Sequence, residues 1–240
     1  MNRYMSANHG FGRAAASFRD FLAVRRFPSW LLAFSMIAGA LTGNVTRAAE
    51  PMPESGWINL FDGQTLQGWK ANESPETWSV RDGAIVADGP VSHLFYVGPD
   101  GATEFGDFEL KAQVRTTPNT NSGVFFRQPW QDSGWLQRGF EAQIQNSGQN
   151  KCYTGGLWIH ADRPAPSPVK DGEWFELHII AVGEKITVKV NGQTMTEYDG
   201  GKETRKPLKR ALRGRIALQG HGPKHHPEFR DIRLRPLPGQ

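Results

Sequence analysis

The sequence predicts an all-β domain built as a sandwich or jelly roll of two antiparallel sheets. From Gly56 onward, short segments alternate apolar with polar residues, and none sustains the period of a helix. Two of these segments are joined by Asn191-Gly192 and two others by Asp82-Gly83, dipeptides that accept the positive φ angles of tight hairpin turns. Many short strands at such close spacing are typical of sandwiches and jelly rolls.

The predicted strands follow one another with no internal repeat and no linker that would divide the domain. KITVKV (185–190) has the simplest pattern, because Ile186, Val188 and Val190 alternate with lysine and threonine. In chain order the predicted strand segments are WSVRDGAIVAD (78–88), FGDFELKAQVRT (105–116), SGVFFRQ (122–128), GFEAQIQ (139–145), GGLWIH (155–160), WFELHIIAVG (174–183), KITVKVNGQTMTEY (185–198), GRIALQGH (214–221) and EFRDIRLRPL (228–237).

Residues 1–48 are predicted to be a signal peptide and residues 49–240 the mature domain. Arg25 and Arg26 precede the apolar run WLLAFSMIAGALTG (30–43), which small residues follow. This run is shorter than the ~20 apolar residues that a membrane-spanning helix needs. We therefore expect an exported protein, periplasmic or extracellular and soluble, with no stable membrane insertion after cleavage.

Charge and cysteine content narrow the classes of partner and of chemistry. Residues 1–49 hold six arginines and one acid, so the remaining chain has 22 basic and 23 acidic side chains. A chain with this balance lacks the excess of basic side chains with which proteins bind a nucleic acid or an anionic membrane. Cys152 is the only cysteine; it excludes an intrachain disulfide and is expected to be a packing residue.

Several predicted strands carry a polar face that differs from an ordinary solvated one. In GFEAQIQN (139–146), Glu141, Gln143 and Gln145 alternate with apolar residues, whereas lysine and threonine occupy the matching positions of KITVKV. The same alternation places Trp158 with His160, Gln219 with His221, and Arg127 with Phe125, while Asn121 and Arg127 flank a buried run.

This combination of side chains suits a carbohydrate ligand. Amides, a guanidinium and a carboxylate hydrogen-bond vicinal hydroxyl groups, and an indole packs against the C–H face of a sugar ring. The alternative is a partly covered sheet whose polar groups satisfy one another. The recurrence of these residue types on separate strands favours a binding groove.

Sequence motifs exclude several other chemistries. The chain contains no G-x-S-x-G elbow, no phosphate-binding P-loop, no HExxH motif and no dinucleotide fingerprint. HGPKHH (221–226) supplies three histidines, but a loop orients such close neighbours poorly and no acid pattern completes a ligand set. We therefore expect no metal and no cofactor.

Motifs spread over nearly the whole predicted domain resemble one family. They are LFDGQTLQGWK (60–70), NSGVFFRQ (121–128), GFEAQIQN, YTGGLWIH (153–160), EWFELHIIAVGEKITVKVNG (173–192) and GRIALQGHG followed by EFRDIRLRPL. In this order, from Gly56 to Leu237, they are similar to the 3-keto-disaccharide hydrolase domain family. The resemblance implies a concanavalin-like jelly-roll sandwich that hydrolyses glycosides already oxidised at carbon 3.

The strand around Glu141 fits such a substrate better than an ordinary glycoside. Sandwiches of this kind that cleave glycosides often carry Glu-x-Asp-x-Glu on one strand, and here Gln143 and Gln145 replace two of the three acids. Ordinary hydrolysis needs two carboxyl groups. A ketone at carbon 3 acidifies the hydrogen on carbon 2, so a single base can start an elimination, after which water adds to the enone.

The resemblance gives each candidate residue an expected role. Glu141 or His221 is the catalytic base, Arg127, Gln143 and Gln219 hold the ketone and hydroxyl groups in a groove that Asn121 also reaches, His160 assists the leaving group, and Trp158 stacks on the ring. The partner is a carbohydrate, and a sugar 3-oxidoreductase is expected to supply the keto form. The competing hypothesis is a non-catalytic carbohydrate-binding module with the same sandwich.

Overall fold

The computed structural model describes residues 56–163, 166–202 and 211–238 as thirteen strands and two short 3-10 turns. The predicted signal peptide lies outside these residues. The strands are β1 Ile58–Asn59, β2 Trp69–Ala71, β3 Trp78–Arg81, β4 Ala84–Ala87, β5 Ser92–Tyr96, β6 Phe108–Thr116, β7 Ser122–Gln128, β8 Phe140–Ile144, β9 Phe175–Val182, β10 Lys185–Val190, β11 Gln193–Asp199, β12 Arg215–Gly220 and β13 Pro227–Pro236. The 3-10 turns are Pro75–Thr77 and Gly200–Lys202.

The strands form two antiparallel sheets, which confirms the predicted all-β sandwich. The eight-stranded sheet has the order β11-β10-β9-β6-β13-β4-β3, with β1 paired to β13. The five-stranded sheet has the order β2-β5-β12-β7-β8. Neighbouring strands are mostly distant in the sequence, as in a jelly roll.

Both predicted hairpin turns are present. Asn191 and Gly192 have φ angles of 48° and 79° between β10 and β11, and Asp82 and Gly83 have φ angles of 50° and 76° between β3 and β4. Two successive residues with positive φ are what a type I′ turn requires, and its twist matches that of the flanking strands. These turns fix the register at two places on the eight-stranded sheet.

The hydrophobic core lies between the sheets. Buried and half-buried residues alternate along β6 and β9, as expected for strands with one face in the core. The Phe108 ring of β6 meets the edge of Phe126 of β7 with centroids 5.9 Å apart, and Phe126 stacks on Phe140 at 5.5 Å. Cys152 is fully buried, and this burial raises the pKa of its thiol to about 12, in agreement with a packing role.

The five-stranded sheet is covered on its outer face as well. All residues of β5, β7 and β8 are buried, although alternation sends half of each strand away from the core. Trp130 and Leu136, in the connection between β7 and β8, pack with Phe95, Phe125 and Ala217 on this outer face. The covered outer face provides the floor on which a site can form.

The segment GGLWIH is not the strand that alternation predicts. Leu157 makes isolated bridges to Ala142 and to Ala161, and residues 158–160 between them form a turn in which Ile159 has a φ of 60°. Alternation applies only to extended backbone. The turn therefore separates Trp158 from His160.

Arg127 does not share a face with Phe125 as the sequence predicts. Its φ of 51° accompanies a register shift between β7 and β12, so a bulge interrupts the alternation. The fully buried guanidinium donates hydrogen bonds to the Gly106 and Gly183 carbonyl oxygens and, at 2.9 Å, to the Asp107 carboxylate. Arg127 is therefore committed to an internal ion pair.

No helix in the described ranges is long and apolar enough to span a membrane.

Removing this ion pair is expected to destabilise the fold. Arg127→Met would leave the Asp107 carboxylate largely buried without its cation, and breaking such a pair costs about 3–5 kcal/mol. Urea unfolding at pH 7 measures the loss. The control is Arg81→Met, which removes a pair whose side chains are 56% and 43% exposed and should cost about 1 kcal/mol or less. Equal losses in the two variants would contradict the structural role of Arg127.

Candidate functional site

A cavity of about 440 Å³ opens on the outer face of the five-stranded sheet. Such a volume lies within the range of small-molecule sites. The cavity brings together six of the sequence-predicted site residues: Asn121, Glu141, Gln143, Trp158, Gln219 and His221. Arg127 and His160 are not among its lining residues.

The strand registers explain why these polar side chains meet. His93 pairs with Gln219, and Gly123 pairs with Gln143, while the register of β12 on β7 sets Gln219 beside Gly123. The four residues form one row across four strands, and Gly123 leaves a gap in its middle. A Cβ atom at Gly123 would lie 2.7 Å from Glu141 Cγ, so the Glu141 side chain occupies the space that this glycine leaves free.

Glu141 is a buried carboxylate without a donor. The residue is 8% exposed, and no described residue donates a hydrogen bond to its oxygens. Desolvation by burial raises the pKa of this carboxyl group to about 8, because the charged form loses its hydration and gains nothing in return. A carboxyl group with such a pKa exchanges protons near neutral pH, as a general base or acid must.

Two glutamines lie on either side of Gly123. The Gln143 Nε2 donates to Asn121 Oδ1 at 2.7 Å and more weakly to the Ser122 carbonyl oxygen at 3.3 Å. The Gln219 Oε1 is buried and has no hydrogen-bond partner in the described part of the chain. Because leaving a buried polar atom unpaired is costly, a polar ligand that completes its bonding is a natural explanation.

Aromatic rings form the sides of the cavity. Trp158 lines it from the turn after Leu157, and Trp135 lines it from the connection between β7 and β8 while remaining 47% exposed. The Trp135 ring lies 4.7 Å from the His221 ring. Alternation could not identify Trp135 as a site residue, because it lies outside any strand. The sequence indicates only that a tryptophan lies in a polar loop.

His221 occupies one side of the cavity in its neutral form. Burial, and then the neighbouring His225, lower its pKa. The two imidazole rings are 4.7 Å apart, and His225 Nδ1 accepts a hydrogen bond from the Asn121 backbone N–H at 2.9 Å. This contact holds the 221–226 loop against the start of β7.

The histidines of HGPKHH do not converge on one point. His226 lies 3.4 Å from the Asp88 carboxylate, whereas His225 bonds to the Asn121 backbone. Within the described ranges, no group of three or more His, Cys, Asp or Glu side chains has an arrangement that would hold a metal ion.

The sequence reasoning missed His93 on β5. The residue is fully buried, its ring meets the edge of Phe125 with centroids 5.4 Å apart, and it lies 6.2 Å from Trp135. Burial, and then the proximity of His221, lower its pKa to about 4, so it is neutral at pH 7. Neither ring nitrogen has a hydrogen-bond partner among the described residues. Along β5, alternation places His93 on the same outer face as Phe95, but a single histidine in a strand does not by itself indicate a functional site.

Two of the predicted ligand-binding residues lie elsewhere. Arg127 is held by Asp107 beyond the bulge. His160 is 7% exposed and lies with ring centroids 5.0 Å from Phe140 and 5.2 Å from Tyr198. Since Phe140 faces the core between the sheets, His160 is on the opposite side of β8 from Glu141. The predicted roles of Arg127 and His160 in the groove are therefore corrected.

The arrangement limits the chemistry that the cavity can perform. Glu141 is the only aspartate or glutamate among the described lining residues, so a pair of carboxyl groups for ordinary glycoside hydrolysis is not present there. One base with a pKa near neutrality, surrounded by amides and indole rings, suits proton transfer on a neutral, polyhydroxylated ligand.

A curated relative comes from Bacteroides thetaiotaomicron. This 3-keto-disaccharide hydrolase is 31% identical to the chain over 83 residues, which represent 32% of this chain and 29% of the relative. The match therefore spans less than a third of the relative's length.

Solved structures with the same fold include several carbohydrate-active proteins. A Parabacteroides distasonis protein, provisionally assigned as a glycosyl hydrolase, is 29% identical with a TM-score of 0.64 over 75% of this chain and 99% of that one. Two others share the fold alone. A Bacillus licheniformis β-glucanase is 10% identical with a TM-score of 0.51 over 77% of this chain and 100% of that one. A Bacillus subtilis carbohydrate-binding module is 12% identical with a TM-score of 0.52 over 70% of this chain and 96% of that one.

The sandwich thus has the concanavalin-like fold of these structures. A family model matches residues 56–235, which include both sheets and every residue that lines the cavity. The chain belongs to the family of 3-keto-α-glucoside-1,2-lyase-like domains.

Proposed function

We propose that this protein cleaves 3-keto glycosides by base-initiated elimination at carbon 2, followed by hydration of the enone. The observation that carries the proposal is Glu141, a buried carboxyl group with no donor in the described part of the chain, whose pKa is raised to about 8. The family and the name of the Bacteroides thetaiotaomicron relative support a 3-keto substrate.

A single base is sufficient for this route. The Glu141 carboxylate takes the proton from carbon 2, and the electron pair left behind is delocalised onto the ketone oxygen as an enolate. When the enolate collapses, a double bond forms between carbons 1 and 2, and the bond from carbon 1 to the glycosidic oxygen breaks. The Glu141 carboxyl group gives this proton to the leaving oxygen; water then adds to carbon 1, and the proton that the water gives up reaches carbon 2 through Glu141.

The amides are suited to the charge that develops on the ketone oxygen. The Gln219 side chain makes no hydrogen bond to another described residue, and Gln143 already directs its Nε2 towards Asn121. An N–H group aimed at an enolate oxygen in a covered cavity stabilises it more than it stabilises the ketone. Gln143, Gln219 and Asn121 therefore bind the ketone and the adjacent hydroxyl groups.

His221 takes the role that the sequence assigned to His160. Its imidazole lines the cavity and is neutral at pH 7, so one ring nitrogen carries a proton and the other does not. The N–H group of the ring donates a hydrogen bond to the leaving oxygen as that oxygen takes the proton from Glu141. Trp158 and Trp135 offer their rings to the C–H face of the sugar.

The same chemistry places constraints on where the substrate comes from. The substrate of the elimination is already oxidised at carbon 3, so the proposal includes a sugar 3-oxidoreductase that acts earlier and introduces the ketone. Export through a signal peptide at residues 1–48, with a mature domain at 49–240 in the periplasm or outside the cell, is also part of the proposal. It rests on the charged and apolar pattern of the leader.

A carbohydrate-binding module is the second candidate function. The half-exposed Trp135 at the mouth of the cavity would also serve a module that binds sugars without cleaving them, and fold alone does not separate the two. The buried base favours the enzyme, because binding hydroxyl groups does not require a carboxyl group that is protonated near neutral pH.

Glu141→Gln is expected to abolish elimination while retaining the shape of the cavity. With methyl 3-keto-α-glucoside at pH 7, kcat/KM should fall by about 10²–10⁴, the range that a general base contributes. For the wild type in D2O, early product should carry deuterium at carbon 2, corrected for exchange without enzyme.

The matched control is Glu197→Gln, an exposed acid on β11, which should retain full activity. In the wild type, kcat/KM should rise with pH and level off above about pH 8, where Glu141 loses its proton. Full activity of Glu141→Gln, or cleavage without deuterium at carbon 2, would contradict the elimination route.

The pH dependence of stability tests the burial of Glu141 independently of activity. Between pH 4.5 and about 8 the folded protein holds a proton that the unfolded chain has released, so raising the pH destabilises the wild type relative to Glu141→Gln. The difference should grow by roughly 3–4 kcal/mol between pH 5 and pH 8, since one pKa unit corresponds to about 1.4 kcal/mol. Urea unfolding at pH 5 and pH 8 measures it. A difference that does not change with pH would mean that the carboxylate is solvated or paired.

Export is expected to remove the leader. When the full chain is produced in a bacterial host, intact mass spectrometry of the periplasmic and extracellular fractions should find a product that begins close to residue 49. Uncleaved chain confined to the cytoplasm would contradict this part of the proposal. A chain that starts at residue 49 is the control, and it should remain in the cytoplasm because it lacks the signal.

A further inference from the structure

A second cavity, of about 340 Å³, adjoins the first at Asn121, a residue that lines both. Gln145, which also lines it, lies two residues beyond Gln143 along the chain and on the same face of the sheet as Gln143. The two cavities therefore succeed each other along the direction of β8.

The second cavity is lined by neutral hydrogen-bonding groups. Apart from Gly148, every lining residue carries an amide or an imidazole: Asn119, Asn121, Gln145, Gln149, Asn150 and His225. Burial is the main cause that lowers the pKa of His225, so this ring is uncharged at pH 7. Amides both donate and accept, which suits the hydroxyl groups of a neutral polyol and offers nothing to an ionic ligand.

The loop that closes this cavity is held in place. Asn150 Nδ2 donates to Gln145 Oε1 at 2.5 Å, and Gln145 Nε2 donates to the Ser147 carbonyl oxygen at 3.1 Å. The Asn119 N–H donates to Ser147 Oγ at 2.8 Å. Several amides nevertheless remain available, because the side chains of Asn119 and Gln149 make no hydrogen bond to another described residue. The cavity is therefore formed before any ligand arrives.

The position of the second cavity relative to Glu141 indicates which part of the substrate it would bind. If the ketone-bearing ring lies over Glu141, the substituent on carbon 1 has to extend beyond the first cavity. Beside Glu141, Leu136 packs with Phe125 over the sheet, whereas Asn121, on the side of Gln145, lines both cavities. The absence of Trp, Tyr and Phe among the described lining residues of the second cavity fits a sugar that must dissociate after cleavage.

We propose that the second cavity binds the sugar unit attached to carbon 1 of the ketone-bearing ring, and so makes the protein selective for disaccharides over simple alkyl glycosides. This inference rests on the proposed function. Hydrogen bonds from Asn119 and Gln149 to the second sugar hold the glycosidic oxygen in line with the base, so that part of the binding free energy is used for orientation.

The test compares two substrates that differ only in the second sugar, 3-keto-maltose and methyl 3-keto-α-glucoside. The variant is the double substitution Asn119→Gly and Gln149→Ala. Glycine suits position 119 because Asn119 has a φ of 62°, which glycine adopts without strain, and Gln149 is exposed. The matched control is Gln193→Ala, an exposed glutamine at the start of β11 on the other sheet.

The double variant should lose about tenfold more kcat/KM on the disaccharide than on the methyl glycoside, as expected for two hydrogen bonds, with most of the loss in KM. The control should match the wild type on both substrates. Suppose that the wild type cleaves both compounds. If kcat/KM of the double variant then falls by the same factor on both substrates, or does not fall on either, the second cavity is not a sugar site.

Binding of unoxidised sugars separates this inference from the proposed function. Calorimetric titrations use maltose and methyl α-glucoside, which the elimination route cannot cleave. If the wild type cleaves neither keto compound, but the double substitution weakens the binding of maltose more than that of methyl α-glucoside, the inference of a sugar site is supported and the proposed enzymatic function is contradicted. Equal binding of maltose by the wild type and the double variant would overturn the sugar site.

Discussion

The cost of burying one carboxyl group that accepts no hydrogen bond from another described residue governs the whole site. Glu141 has its pKa raised to about 8 by desolvation alone, so at neutral pH the fold must either keep it protonated or bear the penalty of its charge. Gly123 gives it room, and apolar side chains pack over the outer face of the sheet beside it. A donor placed beside the carboxylate would stabilise the fold and remove its basicity.

The fold creates this environment by covering the five-stranded sheet on both faces. Most sandwiches leave the outer face of each sheet to water, and here the eight-stranded sheet does so along β10, where Lys185 is exposed. On the five-stranded sheet, Trp130 packs at 4.9 Å from Phe95 and draws the connection between β7 and β8 across the strands. Rigid strands thus carry the polar side chains, and loops carry the rings that adapt to a ligand.

Alternation in the sequence placed the site side chains on the correct face of β8 and β12, where the backbone is regular. Glu141 and Gln143 lie on β8 and Gln219 on β12, so alternation placed them on one face and the structure brings them to one cavity. The failures occur where the backbone departs from extended geometry, at Arg127 in the bulge and at the turn before His160. A positive φ at a non-glycine residue leaves no trace in the residue pattern. Tertiary packing of a loop, which brings Trp135 to the cavity, is equally invisible in a single sequence.

The single thiol of the chain has a practical consequence. Cys152 is fully buried with a thiol pKa of about 12, so maleimides and other thiol reagents have almost no thiolate to attack while the protein is folded. A cysteine introduced on the surface would then be the only reactive one. Spin labels or fluorophores could be placed on the rim of the cavity or on either sheet without first removing a native residue, and distances between labelled positions could be followed as sugars are added.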